Sequence, residues 1–448
     1  MAFGIVVVTV AALAPSLKND FVEWDEPGLI LENPNIRRLG WDQIRWMFTS
    51  FHMGPYQPLP WLSLALDYQI WGLKPLGYHL SGLMWHAANA VLFFVLARRI
   101  LRLAVPDSAD RPFLLDFGAA ISAIVFAVHP LRVESVVWAA QRRDVMSGFF
   151  VLATVWAYFH AVRKDRPRSR YVGWIMCSQF MFLMSLLCKA SGMCLPAVLS
   201  ILDVYPLRRL SWSGKGILSH ESRRVWLEKL PFWIMSFAGG LAALYGQRTA
   251  GAMTPVEVYG PIDRLALASF GSIFYVRKTL LPVALSPLYE IPANFDPWQL
   301  QYILSALTGL GITAIALRWA WRRPAVLAVW LSYLFLLAPV SGLLQTGGQL
   351  AADRYSYLPC LGFALLVGGT VLGIVLNRTE TWPVRGMVAF GLLLCLGLGS
   401  MAWRQSTIWR DTATLWKHAV TIDPTSSTAY NNAAKAPIRE NRLVEAAR

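Results

Sequence analysis

Long apolar runs constrain the fold of this chain more than any other feature. Stretches of close to 20 residues recur along its 448 residues and are separated by short segments rich in Arg. An α-helix needs about 20 apolar residues to cross a bilayer, and it satisfies its own backbone hydrogen bonds inside lipid. The mean hydropathy is +0.44, 56% of the residues are hydrophobic and only 15% are charged. The sequence therefore predicts an all-α polytopic membrane protein.

The apolar runs predict eleven transmembrane helices. The first run, "MAFGIVVVTVAALAPS", is short for a span, and its "ALA" before Pro15 leaves a signal peptide as the alternative to a first helix. Segment 264–285 is apolar but carries Arg277 and Lys278 at its middle, which predicts a re-entrant or interfacial helix. The other ten spans are predicted near 78–97, 113–129, 145–162, 171–188, 191–205, 230–246, 300–317, 325–343, 357–376 and 386–403.

Basic loops predict the topology. The formal net charge of +15 is concentrated in short segments such as "RRILR", "RKDRPRSR", "PLRRL" and "RWAWRR". Loops rich in Lys and Arg stay cytoplasmic, so anionic lipid headgroups are the expected partners and nucleic acid is not. The predicted cytoplasmic segments are 98–112, 163–170, 206–229, 318–324 and 377–385. The predicted outer segments are 17–77, 130–144, 248–298, 344–356 and 404–448.

The cysteines and the short motifs exclude several site classes. All five cysteines fall in apolar runs without a CxxC pair, so neither a disulfide nor a zinc site is predicted. Patterns for a dinucleotide fold, a P-loop, a zinc protease or a serine hydrolase do not occur. The polar tail after residue 403 resembles the start of a tetratricopeptide array, with Pro437 as a departure from the repeat pattern.

Carboxylates cluster in the first outer loop, in "FVEWDEPGLILENPNI". Asp25 and Glu26 follow Trp24 directly, in a setting more apolar than a plain surface loop. One interpretation is that they are ordinary loop residues. The other is that desolvation readies a carboxylate as a base, since burial raises the pKa of a carboxyl group.

Further polar groups flank other predicted spans. Arginines at these positions are either interface anchors or ligands of an anion, and a lysine between two apolar runs needs a partner or a function. His129, before a proline, is more typical of a helix end than of a catalyst. The residues concerned are His129, Glu134, Arg142, Arg143 and Asp144 in "HPLRVESVVWAAQRRD", Lys189 in "LLCKASGMCLP", and Arg354 and Tyr355 in "QLAADRYSYLP".

Outer-face arginines and outer-face carboxylates together suggest a type of reaction. Cations hold a group that is carried on a phosphate, while a carboxylate removes a proton from the acceptor. An enzyme that uses a lipid phosphate as donor needs both at one interface. This is a hypothesis from residue types and their predicted side of the membrane.

Five segments in order carry a family resemblance. They are "FVEWDEPGLILENPNI", "GPYQPLPWLSLALDYQIWGLKPLGYHLSGLMWHAANAVLFF", "HPLRVESVVWAAQRRDVMSGFFVLATVWAY", "KASGMCLPAVLSILDVYPLRRL" and "AADRYSYLP". Together they resemble the bacterial form of the transmembrane, tetratricopeptide-repeat-containing O-mannosyltransferases, which are GT-C glycosyltransferases. The resemblance implies a GT-C domain over 1–403, with the first periplasmic loop at 17–77, and a truncated repeat segment over 404–448.

The resemblance also implies an activity. It is the inverting transfer of mannose or a similar hexose from a polyprenyl-phosphate donor to a protein hydroxyl, on the periplasmic face of a bacterial inner membrane. Asp25 and Glu26 match the family's acidic pair, with Asp25 as the general base and Glu26 orienting the acceptor or sharing that role. Many relatives have two Asp there, which leaves open which acid acts, and Glu134 is the next candidate. The donor phosphate is assigned to Arg142, Arg143, Lys189 and Arg354, with Tyr355; Trp24, His129 and Asp144 are supporting residues.

No metal ligand set is predicted, although some GT-C enzymes use a divalent ion. The acceptor protein is expected to dock on the repeats. The alternative function is a transporter or flippase for a lipid-linked sugar, which predicts charges at mid-span and broken helices in internal repeats. The charges here lie mainly at span ends, which favours catalysis.

Overall fold

The computed structural model describes residues 1–163, 167–210, 219–343, 347–376 and 381–439. These residues form helices joined by short connections, with one two-stranded antiparallel sheet. The helices are α1 Ala2–Leu13, α2 Trp41–Thr49, α3 Pro58–Trp71, α4 Pro75–Ala104, α5 Pro112–Val128, α6 Val133–Val137, α7 Arg142–Ala161, α8 Arg168–Cys188, α9 Leu195–Val204, α10 His220–Thr249, α11 Pro261–Leu280, α12 Leu300–Arg318, α13 Pro324–Leu337, α14 Leu361–Leu376, α15 Thr381–Ile408, α16 Thr412–Ile422 and α17 Ser427–Arg439. The strands are β1 Tyr289–Glu290 and β2 Gln349–Ala351.

Proline fixes where several helices begin. Pro58, Pro75, Pro112, Pro261 and Pro324 each occupy the first position of their helix. Proline suits that position because its missing N–H would have no intrahelical partner and its φ is already helical. These prolines therefore fix where each of the five helices starts, and with it where the preceding loop ends.

Each predicted apolar run coincides with a helix. Fewer than eleven of the described helices, however, are long and apolar enough to cross a bilayer. Four described helices are long and apolar enough to cross a bilayer: Pro75–Ala104, Arg168–Cys188, Leu300–Arg318 and Val388–Ile408. A fifth arises if Pro112–Val128 and Pro130–Val137, which meet at 56°, form one broken span. The predicted count of eleven is thus not established, while the prediction of a helical membrane protein agrees with these spans.

Segment 264–285, predicted to be re-entrant or interfacial, lies mostly in helix α11. Its Lys278 ammonium donates to the carbonyl oxygens of Val283 and Ala284, at 2.7 and 2.8 Å. The loop that follows α11 thus provides hydrogen-bond acceptors for the Lys278 ammonium near the end of the helix. This helix is not among the described helices that meet the length and hydropathy requirements for a span.

The largest core joins α1, α4, α5 and α7 with the first outer loop. Small residues allow α5 and α14 to approach closely. A Cβ added at Gly368 would clash with the Gly118 carbonyl oxygen and the Ser122 hydroxyl. Contacts of this kind are typical of membrane helices, in which packing rather than the hydrophobic effect holds neighbours together.

All five segments that were predicted to lie outside contribute to one end of the bundle. Trp24 of the first loop contacts Trp138 and Trp416, and the Arg354 guanidinium lies over Trp24. Tyr289, from the third outer segment, donates to Asp353 of the fourth at 3.1 Å. The common location agrees with the predicted topology, whereas the side of the membrane on which this end lies stays a prediction.

The C-terminal helices α16 and α17 form a pair at this same end. The Thr412 hydroxyl accepts from the Glu23 backbone N–H at 2.9 Å, and His418 Nε2 lies 2.8 Å from the Leu285 carbonyl oxygen. The predicted start of a tetratricopeptide array is not established by one pair. Its continuation in 440–448 lies outside the described residues, as do parts of the predicted basic loops 163–170, 206–229 and 377–385.

Candidate functional site

Three tryptophans from distant parts of the chain form the floor of the candidate site. Trp24 stacks on Trp138 with ring centroids 4.6 Å apart, and Trp416 meets Trp24 edge-on at 5.0 Å. Trp138 and Trp416 are buried. This cluster holds the first loop, the 130–144 segment and the C-terminal helix pair together, and so fixes the backbone that carries Asp25.

Arg354 lies on this aromatic floor. Its guanidinium carbon is 5.8 Å from the Trp24 ring and 5.5 Å from the Trp138 ring, which are distances for cation–π attraction. The Glu134 carboxylate accepts from both the guanidinium and the backbone N–H of Arg354. Because Arg354 and Glu134 are buried, this ion pair orders the site and leaves neither charge uncompensated.

A second ion pair lies next to the first. The Lys189 ammonium donates to the Asp144 carboxylate, whose other oxygen accepts from the Ser135 hydroxyl at 3.1 Å. Lys189 keeps 18% of its side chain exposed, and its nitrogen is 5.9 Å from the Tyr355 ring. Arg143 is half-buried and donates to Gln141 at 3.2 Å. Lys189 and Arg143 are therefore the predicted phosphate ligands that retain access to a ligand.

Asp25 and Glu26 differ sharply in their surroundings. Glu26 is 1% exposed and accepts from the Val22 backbone N–H. Burial raises its pKa to about 8, so that it is mostly protonated at neutral pH. Asp25 is half-buried, and among the described residues no hydrogen bond or ion pair occupies its carboxylate. Of the two, Asp25 is the one placed to meet a ligand.

Arg142 and His129 are not part of this cluster. Arg142 is fully buried, and its guanidinium donates to Asp67 at 2.7 Å, Ser63 at 2.9 Å and the Tyr78 carbonyl oxygen at 2.6 Å. These contacts hold α7 against α3 and α4, so the role of Arg142 is to stabilise helix packing. His129 is buried against the Thr279 carbonyl oxygen at 3.0 Å. Neither side chain is free to bind a donor in this arrangement.

Two further polar residues at this end were not predicted to be site residues. Gln349 accepts from Arg354 at 3.2 Å and donates to the Tyr355 hydroxyl. Asp353 is buried beside Tyr289, and burial, together with the nearby Glu134 carboxylate, raises its pKa well above the usual range. Both residues lie within the quoted "QLAADRYSYLP", next to Arg354 and Tyr355, so their position in that segment is the signal that could have identified them.

The described residues contain no group of three or more His, Cys, Asp or Glu that could hold a metal ion. What these residues offer chemically is the Asp25 carboxylate, which has no partner among the described residues and directly follows Trp24, together with two partly accessible cations, Lys189 and Arg143, at the same end of the bundle. This combination suits acceptance of a proton and binding of an anion at one interface.

Comparison with known proteins gives relatives of one kind. No family model matches. Protein O-mannosyl-transferase Tmtc3 of Drosophila melanogaster is 23% identical over 443 residues, 87% of this chain and 47% of that protein. Protein O-mannosyl-transferase TMTC4 of Homo sapiens is 24% identical over 480 residues, 96% of this chain and 62% of that protein. The chain thus spans roughly half to three fifths of these curated relatives.

Solved structures give weaker likenesses. ArnT from Cupriavidus metallidurans, bound to undecaprenyl phosphate, has a TM-score of 0.42 and 13% identity, covering 98% of this chain and 72% of that one. The oligosaccharyltransferase AglB from Archaeoglobus fulgidus has a TM-score of 0.44 and 14% identity, covering 98% and 59%.

Proposed function

The curated homologues of this chain are protein O-mannosyl-transferases, as the resemblance of its five quoted segments implied, and from that premise we propose that it is a membrane glycosyltransferase. The proposed reaction moves mannose or a similar hexose from a polyprenyl-phosphate donor to a protein hydroxyl. The proposed location is the periplasmic face of a bacterial inner membrane. The observation that carries the proposal is the half-buried Asp25 carboxylate, which no described residue occupies and which directly follows Trp24, the residue whose ring faces the Arg354 guanidinium.

Asp25 is the proposed general base. A base must reach the proton it removes, and among the described residues nothing occupies its carboxylate. Glu26 is buried and mostly protonated at neutral pH, which suits a residue that fixes the loop rather than one that removes a proton. Glu134 is held by Arg354 and is assigned to ordering that guanidinium.

Lys189 and Arg143 are the proposed ligands of the donor phosphate, with Tyr355 beside them. Both cations are partly accessible, and the Asp144 carboxylate orients the ammonium of Lys189. Arg354, 5.0 Å from the Tyr355 ring, supports this side of the site through its positive charge. An apolar, buried surround strengthens such interactions, because fewer water molecules screen them.

The proposed step forms one bond and breaks one. The acceptor hydroxyl oxygen attacks the anomeric carbon of the donor sugar from the face opposite the phosphate, and Asp25 takes the hydroxyl proton. The bond between that carbon and the phosphate oxygen breaks, and the bonding electrons leave with the polyprenyl phosphate. Lys189 and Arg143 stabilise the negative charge on this leaving group, and the anomeric configuration inverts.

The test is sugar transfer by the purified full chain in lipid nanodiscs, from radiolabelled polyprenyl-phosphate-mannose to a panel of periplasmic proteins. We expect Asp25→Asn to lower kcat by roughly 10²- to 10⁴-fold, because general-base catalysis typically contributes that much. Donor binding, measured in the same nanodiscs, is expected to stay within twofold. Asp42→Asn makes the same chemical change at an exposed position of the first loop and is expected to keep wild-type activity.

Two outcomes contradict the proposal in different ways. Transfer that persists in Asp25→Asn but disappears in Glu26→Gln or Glu134→Gln moves the base to that residue. No transfer to any protein in the panel, together with movement of lipid-linked sugar across a vesicle membrane, replaces the enzyme with the transporter.

A further inference from the structure

A cavity runs between three helices, with its basic end at the opposite end of the bundle from the candidate site. It has a volume of about 990 Å³, is partly open, and is lined mainly by α9, α10 and α13. Arg209 in its lining donates to the Tyr158 hydroxyl at 2.6 Å. Tyr158 is 14 residues along α7 from Asp144, which corresponds to about 21 Å at the rise of an α-helix. The basic end of the cavity is therefore separated from Asp144 of the candidate site by roughly a helix length.

The cavity is apolar at its deep end and basic at its mouth. Along α13 its lining extends from Pro324 to Phe335, about 16 Å of helix. Trp233 and Ala197 line it with Phe335, whereas Arg208, Arg209 and the serines 219 and 222 line the other end. On all three helices the lining changes from basic to apolar in the same direction. This is because α10 and α13 begin, and α9 ends, at the basic end of the cavity.

Charge at the mouth favours an anion. Arg209 is held by Asp203 at 3.0 Å and Glu228 at 2.7 Å, and Lys229 also donates to Asp203. Four described cations, counting Arg224 and Arg208, thus accompany the two carboxylates, which leaves a positive balance among the described side chains. Arg208 is exposed, and no Asp or Glu is among the described residues that line the cavity. An anionic group at the mouth would find Arg208 accessible and, in this described part of the lining, no carboxylate to repel it.

We propose that this cavity binds one anionic phospholipid of the bilayer, with its headgroup phosphate at Arg208 and an acyl chain against Trp233 and Phe335. The shape of the lining selects a lipid over a free phosphate, because most of the wall is apolar and needs an apolar occupant. Trp226 and Trp321, in the lining near the mouth, are of the type enriched where a membrane meets water. The proposal does not depend on the proposed glycosyl transfer.

The experiment is native mass spectrometry of the detergent-solubilised full chain, titrated with phosphatidylglycerol, with phosphatidylcholine and with glycerol 3-phosphate. Arg208→Glu replaces an attractive charge by a repulsive one at the proposed headgroup position. We therefore expect it to weaken phosphatidylglycerol binding by at least about tenfold, or about 1.4 kcal/mol. Arg102→Glu makes the same change at an exposed position near the end of α4 and is expected to bind as wild type.

A second variant tests the apolar end. Ala328→Trp places a large side chain in the cavity and leaves the charge unchanged. We expect this variant to lose the tightly bound phosphatidylglycerol molecule. Equal binding by Arg208→Glu and Arg102→Glu would overturn the proposal, as would equal binding of phosphatidylcholine. Competition by glycerol 3-phosphate at the affinity of the lipid would overturn it in favour of a free-anion site. None of these readouts requires transferase activity.

Discussion

Two adjacent acids at the candidate site lead to opposite expectations, and the difference is burial. Burial raises the pKa of Glu26 from 4.5 to about 8, so the folded protein holds a proton that the unfolded chain releases. Stability is then fully present below pH 4.5 and declines as pH rises towards 8, because the unfolded state binds fewer protons over that window. We expect Glu26→Gln to remove this decline. The measurement is the apparent Tm of both proteins from pH 4.5 to 9.

Asp25→Asn is the matched control for that series, since it makes the same kind of change one residue away at a half-buried position. The decline that Glu26 causes should remain in this variant. If Glu26→Gln instead shows the wild-type slope from pH 4.5 to 8, or loses stability at pH 8, Glu26 is ionised in the folded protein and its assignment to fixing the loop is wrong.

Close helix contact is the property of the bundle that depends most on single residues. A Cβ at Gly368 would clash with the Gly118 carbonyl oxygen, so Gly368→Ala is expected to force α5 and α14 apart. Overpacking of this kind costs about 1–3 kcal/mol. A Cβ at Gly373, on the same helix, meets nothing within 4 Å. We expect a lower apparent Tm for Gly368→Ala than for Gly373→Ala; equal values would contradict the close contact.

The sequence predicted elements better than it predicted pairings. Apolar runs and terminal prolines are local signals, and each predicted span has its helix. Glu134 and Arg354 were both singled out, one as an acid and one as a phosphate ligand, yet they are 220 residues apart and form one ion pair. Arg142 likewise finds Asp67 through the packing of α3 against α7. No local pattern encodes such partners, because three-dimensional packing alone brings them together.

The whole molecule brings its first and last helical segments to one place. Asn19 donates to the Ser406 carbonyl oxygen at 3.0 Å, and the Asp20 backbone N–H donates to the Arg410 carbonyl oxygen at 2.8 Å. Together with Trp416 against Trp24, these contacts make the C-terminal helix pair a wall of the candidate site. The loop that carries the proposed base therefore depends on residues almost 400 positions away for its order.

Removal of the Trp416 side chain tests this dependence. Trp416 is fully buried, and truncation of a buried Trp costs about 3–5 kcal/mol, here at the contact between α16 and the first loop. We expect Trp416→Ala to make tryptic cleavage after Arg38, an exposed residue of that loop, at least about tenfold faster. Trp403→Ala removes a 48% exposed Trp from α15 and is the control. Equal cleavage rates in both variants would show that the C-terminal pair does not order the loop.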